Sequence, residues 1–221
     1  DIAYTLEKIE RAEGHNYVIL GEDHKMYFEQ LATIIRAVDK TPPEPVHYSY
    51  ILLKEGKMST RKGTVVLLSD FLDELTSRAR ARVDEQWPDR PDDERAEIAR
   101  IIGIGAVRYS ILSVRGNRNV IFDWDSALSF TGDSGPYIQY SCTRIASILR
   151  RWEGELPDAG APAHLTSDAE WKLVMRLARV DGDVTMAIES RNVAVIANAA
   201  LDIAQHFSRF YADCPVLTAE T

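Results

Sequence analysis

The stretch Lys54-Glu55-Gly56-Lys57-Met58-Ser59-Thr60-Arg61-Lys62-Gly63-Thr64 puts four cations within nine residues, with glycines at 56 and 63. Clustered positive charge attracts a polyphosphate, and glycine lets a backbone approach a ligand closely. Ser59 and Thr60 add hydroxyls and accessible backbone N–H groups. A loop of this composition can close over a nucleoside triphosphate and stabilise charge as pyrophosphate departs. That chemistry is positioning and electrostatics, and asks no covalent step of the protein. A solvated basic loop has the same composition, so charge alone does not separate the two readings.

A second group of candidates lies downstream. Tyr137, Gln139, Tyr140, Arg144, Arg150, Arg151 and Trp152 fall on or beside one helical stretch. Aromatic rings stack on splayed bases and arginines pair with phosphates, a combination that suits nucleic acid. Tyr137 and Tyr140 also fit an apolar stripe with Ile148, so at least one is expected in the core. Gln139 and Arg144 are expected to be exposed. Arg115 and Arg118 sit in a turn between helices, placed to touch an RNA stem. Phe207, Phe210 and Tyr211 recur at helical spacing and read as core. Cys142 and Cys214 have no second Cys or His at metal-ligand spacing. No metal is assigned, and both read as small buried hydrophobes of a reducing compartment.

The elements that must position these residues follow from periodicity. Residues 1–14 read as a helix that begins before Asp1, with Ile2, Leu6 and Ile9 on one side. Residues 17–21 are an apolar run ending in glycine, the pattern of a buried strand. A helix over 24–39 (Phe28, Leu31, Ile35, Val38) closes at Pro42-Pro43, and 46–53 reads as a second strand. Strand, helix, strand at this spacing is a βαβ unit with a parallel pair, one end of a larger domain. From Ser69 onward the pattern is helical throughout. The first helix is capped by Ser69 and stopped by Trp87-Pro88. The next spans 91–113 with Ile98, Ile101, Ile102, Gly105, Tyr109 and Leu112 as its stripe. Ser134-Gly135-Pro136 opens a third that runs to Trp152. After a Pro/Gly/Ala-rich linker at 154–166, a Ser167/Glu170 capping box opens a helix through Leu173, Leu177, Val180, Val184 and Ile188. The last covers 193–211 with Ile196, Ala200, Ile203, Phe207 and Phe210 inward.

The whole is 221 residues, 45% hydrophobic and 27% charged, enough to bury a real core in one large or two small domains. No run of uncharged apolar residues is long enough to span a bilayer. A net charge of −8 disfavours a uniformly nucleic-acid-binding surface but permits a local basic patch. Asp1 is followed by no charged-then-apolar leader, so no signal peptide is expected.

Lys57-Met58-Ser59 resembles the second signature of the class I aminoacyl-tRNA synthetases, Lys-Met-Ser-Lys-Ser, with a strand before it and Gly63-Thr-Val-Val66 and a helix after. The stretch Phe130-Thr-Gly-Asp-Ser-Gly-Pro-Tyr-Ile-Gln-Tyr-Ser-Cys-Thr-Arg-Ile-Ala-Ser-Ile-Leu-Arg150 is similar to the one that opens the anticodon-binding bundle of the arginyl-tRNA synthetases. Gly21-Glu-Asp-His24, Gly105-Ala-Val-Arg-Tyr109 and residues 119–130 around Phe122-Asp-Trp-Asp125 resemble that family too. The resemblance covers nearly the whole chain, in register.

The resemblance implies a mainly α fold. A partial Rossmann-like α/β remnant at the N-terminus, over 1–82, carries the signature loop. An all-helical stem-contact and anticodon-binding bundle follows over 83–221, incomplete at its C-terminus. It also implies arginine–tRNA ligase activity: the arginine carboxylate attacks the α-phosphate of ATP, pyrophosphate leaves, and a ribose hydroxyl of the tRNA attacks the adenylate. ATP with magnesium, L-arginine and the tRNA for arginine are the implied partners, in the cytoplasm. The parent is expected to be monomeric and this stretch to self-associate. Lys57, Ser59, Arg61 and Lys62 are the implied catalytic residues, and Lys57, Met58, Ser59, Thr60, Val65 and Val66 the ATP contacts. Thr60 stands where the general signature has lysine, as in many arginine enzymes, which leaves Arg61 and Lys62 as candidate cations. Asp1 aligns with an aspartate that reads the substrate guanidinium, and a carboxylate can accept two parallel N–H bonds from one. Its other role is a helix N-cap. His24 would line the same pocket, with Glu22 and Asp23 shaping the turn. Arg115, Arg118, Gln139, Tyr140, Arg144, Arg150 and Arg151 are the implied tRNA contacts.

The first class I signature, His-x-Gly-His, does not occur among His15, His24, His47, His164 and His206. Two readings follow: part of an arginine–tRNA ligase that is inactive by itself, or a stand-alone tRNA- or RNA-binding or regulatory helical module with a vestigial loop. A different class I synthetase, such as the cysteine enzyme, fits the Gly-Pro-Tyr-Ile-Gln-Tyr stretch less well.

Overall fold

A computed structural model describes residues 1–12, 14–53, 67–152, 165–214 and 216. Lys57, Met58, Ser59, Thr60, Arg61, Lys62, Val65 and Val66, on which the phosphate-binding expectation rests, lie outside the described residues.

Helix α1 (Ile2–Arg11) leads to strand β1 (Tyr17–Gly21), a single 3-10 turn (Glu22–His24), helix α2 (Lys25–Ala37) and strand β2 (Glu44–Tyr48). The strands pair in parallel, Tyr17 opposite Glu44 and Gly21 opposite Tyr48, so the expected βαβ unit is present. Phe28, Ala32 and Ile35 turn the apolar stripe of α2 inward. The expectation that β1 is buried is corrected: Ile19 is 71% exposed, because among the described residues β1 pairs with β2 alone.

The second strand expected over 46–53 is two strands. Strand β3 (Ile51–Leu53) leaves the first sheet and pairs in parallel with β4 (Val120–Phe122), Ile51 opposite Val120. The break between them is held from a distance. Asn119 Oδ1 accepts from Ser49 Oγ (2.6 Å) and from the Tyr50 amide (3.2 Å), and the Val120 amide donates to Tyr50 O (2.9 Å). β4 also corrects the expectation that everything after Ser69 is helical, since three residues are too few to show a period.

Helices α3 (Leu68–Gln86) and α4 (Asp92–Leu112) form a hairpin, and residues 82 and 83 fall within α3. The N-cap of α3 is Leu67 and not Ser69, whose hydroxyl donates to Asp70 Oδ1 (3.2 Å). Leu75, Ala79 and Val83 meet Ala99, Ile102 and Ala106, and Phe122, Ala127 and Leu128 close this core. Gly103 lies against Leu75, where an added Cβ would stand 3.1 Å from Leu75 Cγ. Close approach therefore selects the small residues of α4, and Ile101 and Leu112, expected inward, are exposed. At the turn end of the hairpin, the Arg80 guanidinium bonds Asp84 (2.7 Å) and Asp92 (2.5 Å) and holds the Asp92 carboxyl below its ordinary range.

Short helix α5 (Trp124–Ala127) is capped by Asp123, which accepts from the Ser126 amide. The bundle is completed by α6 (Gly135–Arg151), α7 (Asp168–Leu177), α8 (Val180–Ser190) and α9 (Ala194–Asp213). The caps of α6 and α7 are as expected: Ser134 accepts from the Tyr137 amide, and Ser167 and Glu170 form a full capping box. The single helix expected over 167–188 is broken into α7 and α8. Arg176, 8% exposed, accounts for the break. Its Nε donates to Asp202 Oδ2 on α9 (2.5 Å), and its Nη2 stands 2.8 Å from Asp183 Oδ2 on α8 as a charge contact without hydrogen-bond alignment. Bringing three helices around one guanidinium turns the apolar residues of α7 and α8 outward. Leu177, Val184 and Ile188 are exposed, as is Ile196 on α9.

Candidate functional site

The cap at Ser134 fixes the phase of α6, and the phase sorts its side chains. Tyr137 is half-buried and its hydroxyl bonds Ser208 Oγ (3.0 Å), tying α6 to α9. Gln139 turns toward α4, where its Nε2 donates to Ile101 O (3.1 Å) over the space left by Gly105. It is half-buried, against the expectation of exposure, because α4 and α6 cross so closely there. Tyr140 faces outward, and Arg144, one turn later and half-buried against the expectation of exposure because it lies over two rings, donates from Nη2 to the Tyr140 hydroxyl (2.8 Å). The Arg144 guanidinium carbon lies 4.8 Å from the Tyr140 ring centroid and 4.7 Å from that of Tyr211 on α9.

These residues line a cleft of about 320 Å³ between α6 and α9, with Thr143, Ser147, Ile148 and Arg151. A planar cation between two partly exposed phenol rings presents flat surfaces, hydrogen-bond donors and positive charge together. That is the equipment for stacking a base and pairing a phosphate. Tyr211 was read as core, and the structure puts it at the surface because Phe207 takes the buried position on α9. The signal that could have found it is its polar tip in the last turn of a helix. Arg150 and Arg151 are exposed at the C-terminal end of α6, where cations complement the free carbonyls. Cys142, read as buried, is exposed on α6, while Cys214 is half-buried with Ser167 Oγ 3.2 Å from its sulfur.

Arg115 and Arg118 are exposed in the α4–β4 turn, closed by the Arg118 amide bonding Arg115 O (2.9 Å). Arg115 also lines a second cleft, of about 200 Å³, with His47 of β2 and Arg191 and Asn192 of the α8–α9 corner. Sequence reasoning passed over Arg191. It adopts φ 48° and ψ 41° at the end of α8, pairs with Glu44 of β2, and lies over the Tyr17 ring of β1 at 4.9 Å.

At the other end of the chain Asp1 occupies the N-cap position of α1, but its side chain makes no cap bond. Its Oδ2 accepts from the Tyr27 hydroxyl instead (2.7 Å). His24 closes the 3-10 turn three residues before Tyr27, exposed, with Nε2 3.9 Å from Asp23 Oδ2. Asp1, Tyr27 and His24 thus belong to one end of the α1–α2 pair. Arg144, Arg150 and Arg151 share α6, and Gln139 on the same helix turns away from them.

Residues 1–124 match the family described as tRNA synthetases class I (R), catalytic domain, and residues 138–221 match the DALR anticodon binding domain. The chain is 38% identical to an arginine–tRNA ligase of Methanococcoides burtonii, over 100% of this chain and 39% of the relative. It is 39% identical to the same enzyme of Haloarcula marismortui, over 91% of this chain and 36% of the relative. The solved structure of Thermus thermophilus arginyl-tRNA synthetase superposes with a TM-score of 0.80 at 31% identity, covering 93% of this chain and 35% of that one. The chain therefore spans about two fifths of the length of the curated relatives it matches. With the two domain matches in chain order and a solved member that superposes on nearly all of it, the chain belongs to the class I arginyl-tRNA synthetase family.

Proposed function

We propose that this chain supplies one side of the ATP site and the tRNA-reading helices of an arginine–tRNA ligase. The observation that carries the tRNA part is Arg144, held between Tyr140 and Tyr211 inside the stretch that matches an anticodon binding domain. In this reading Tyr140 and Tyr211 offer ring faces to bases of the anticodon arm, and Arg144, Arg150 and Arg151 neutralise phosphates. Arg115 and Arg118 reach the stem. Gln139 acts by fixing α6 on α4, a role that its bond to Ile101 O supports.

Lys57 and Ser59 hold the phosphates of ATP, and Arg61 or Lys62 supplies the charge that a fourth-position lysine supplies elsewhere. Met58, Thr60, Val65 and Val66 complete the nucleotide contacts. Asp1 reads the guanidinium of arginine, its carboxylate oriented by Tyr27, with His24 beside it. Magnesium enters with ATP as part of the substrate. Among the described residues no group of three His, Cys, Asp or Glu side chains is arranged to hold a metal.

The reading places the protein in the cytoplasm; no helix among the described residues is long and apolar enough to cross a membrane. Self-association belongs to it too, supported by exposed Ile19 and Ile188, and sedimentation over a concentration series checks it.

The deciding experiment titrates the chain against an arginine tRNA and an unrelated tRNA across a salt series. The expected outcome is preferential binding of the arginine tRNA that persists at moderate salt. Equal, salt-labile binding of both would overturn the tRNA-reading half of the proposal.

A further inference from the structure

Arg191 is a residue with a Cβ held in the left-handed region, at φ 48°, where a helix usually ends in glycine or asparagine. The conformation closes the α8–α9 corner: the Asn192 amide returns to Ala187 O (3.0 Å) and the Arg191 amide to Ile188 O (3.2 Å). It also aims the side chain away from the bundle and across the second cleft, onto the strands. There the guanidinium pairs with Glu44, the first residue of β2, and covers the Tyr17 ring, the first residue of β1. Glu44 and Tyr17 face each other in the register of the parallel pair, so one side chain grips both strands at their shared end. The Tyr17 ring is itself backed by His15, stacked at 5.8 Å and 17°. Tyr17 and Glu44 both hold the Arg191 charge in place, raising its affinity for the proton above the ordinary value.

Elsewhere the strands are held to the helical part through α4 and β4: β3 pairs with β4, Asn119 takes bonds from Ser49 and Tyr50, and an added Cβ at Gly116 would stand 2.8 Å from His47 O. The far end of the bundle, at the α8–α9 corner, reaches the β1–β2 pair through Arg191, and a small contact of this kind lets two packed elements rock against each other unless something pins them. We propose that Arg191 is that pin: a positioning residue that fixes the α7–α9 end of the bundle against the β1–β2 pair by gripping Glu44 and Tyr17. β2 continues through Ser49 and Tyr50 into β3 and so into residues 54–66. Under the function proposed above, the pin sets the angle between the tRNA-reading cleft and the strand that carries the signature loop.

The test reads geometry and not ligation, so it fails separately from that function. Cys142 is exposed on α6 and takes one spin label. A second is placed on α2 by Glu29→Cys, with Cys214→Ser to remove the other thiol. Pulsed electron resonance then gives the distribution of distances between the bundle and the α/β unit. Arg191→Asn removes the grip but keeps a residue that tolerates the left-handed region, so the corner itself is not strained. Glu44→Gln removes the partner charge from the other side. The expected result is a distribution roughly twice as wide in Arg191→Asn, the spread of an unpinned interface, and a smaller widening in Glu44→Gln, which keeps the Tyr17 contact. The double variant is expected to be no wider than Arg191→Asn alone, which already removes both contacts. Helix content by circular dichroism stays unchanged. A distribution as narrow in Arg191→Asn as in the parent, or widths that add in the double variant, would overturn the proposal.

Discussion

Arg144 concentrates what a single residue contributes here. Its charge is held between two rings, one from its own helix and one from α9, and its side chain lines the cleft. Arg144→Ala is expected to weaken tRNA binding by about 1–3 kcal/mol, the range found when a stacking side chain is truncated. Arg144→Lys keeps the charge and loses the plane, so the salt dependence should be retained while affinity falls. A titration at several salt concentrations reads both. The pair Tyr140 and Arg144 was legible because residues four apart meet on any helix. Tyr211 was not, because an aromatic at helical spacing reads as core until the neighbouring ring, here Phe207, is known to have filled it. Gln139 misled for the complementary reason: a polar residue looks exposed unless a glycine on another helix makes room for it.

At the level of the element, two of the three caps expected from local signals are present, the one at Ser69 giving way to Leu67, and the distant contacts were missed. The caps at Ser134 and Ser167 depend on four consecutive residues and were visible. The split of β2 from β3 depends on Asn119, and the break between α7 and α8 on a buried Arg176 that needs carboxylates from two further helices. Two tests follow. An added Cβ at Gly135 would stand 2.5 Å from Gly105 O, so Gly135→Ala should destabilise the α4–α6 crossing by about 1–3 kcal/mol, read from the midpoint of urea unfolding. The Glu170 carboxylate accepts from the Ser167 amide (2.7 Å) and the Thr166 amide (2.9 Å), which hold it below its ordinary value of 4.5. Its folded value is the lower one, so its contribution is complete above 4.5 and is lost as pH falls through the lowered value. Glu170→Gln should flatten that part of the acid-unfolding curve relative to the parent.

For the molecule as a whole, the parallel βαβ unit and the helical remainder were legible from period alone, while the way the two parts lock together was not. The locking contacts, the β3–β4 ladder and side chains such as Asn119 and Arg191, join segments far apart in sequence. A polypeptide of residues 1–221 alone is expected to show no arginine-dependent exchange of pyrophosphate into ATP. The signature loop supplies cations from one side only, and no His-x-Gly-His stands in these residues to meet them. Measurable exchange would count against the division of labour proposed here. The pairing of β3 with β4 has a further consequence, in the time domain. The Tyr50 amide finds its acceptor 69 residues later in the chain, at Asn119, after the whole α3–α4 hairpin. At a synthesis rate of about 5–20 residues per second, β3 waits several seconds on the ribosome before its partner exists. The strand that leads into the chemistry is therefore seated only after the helical hairpin that delivers its neighbour has been made.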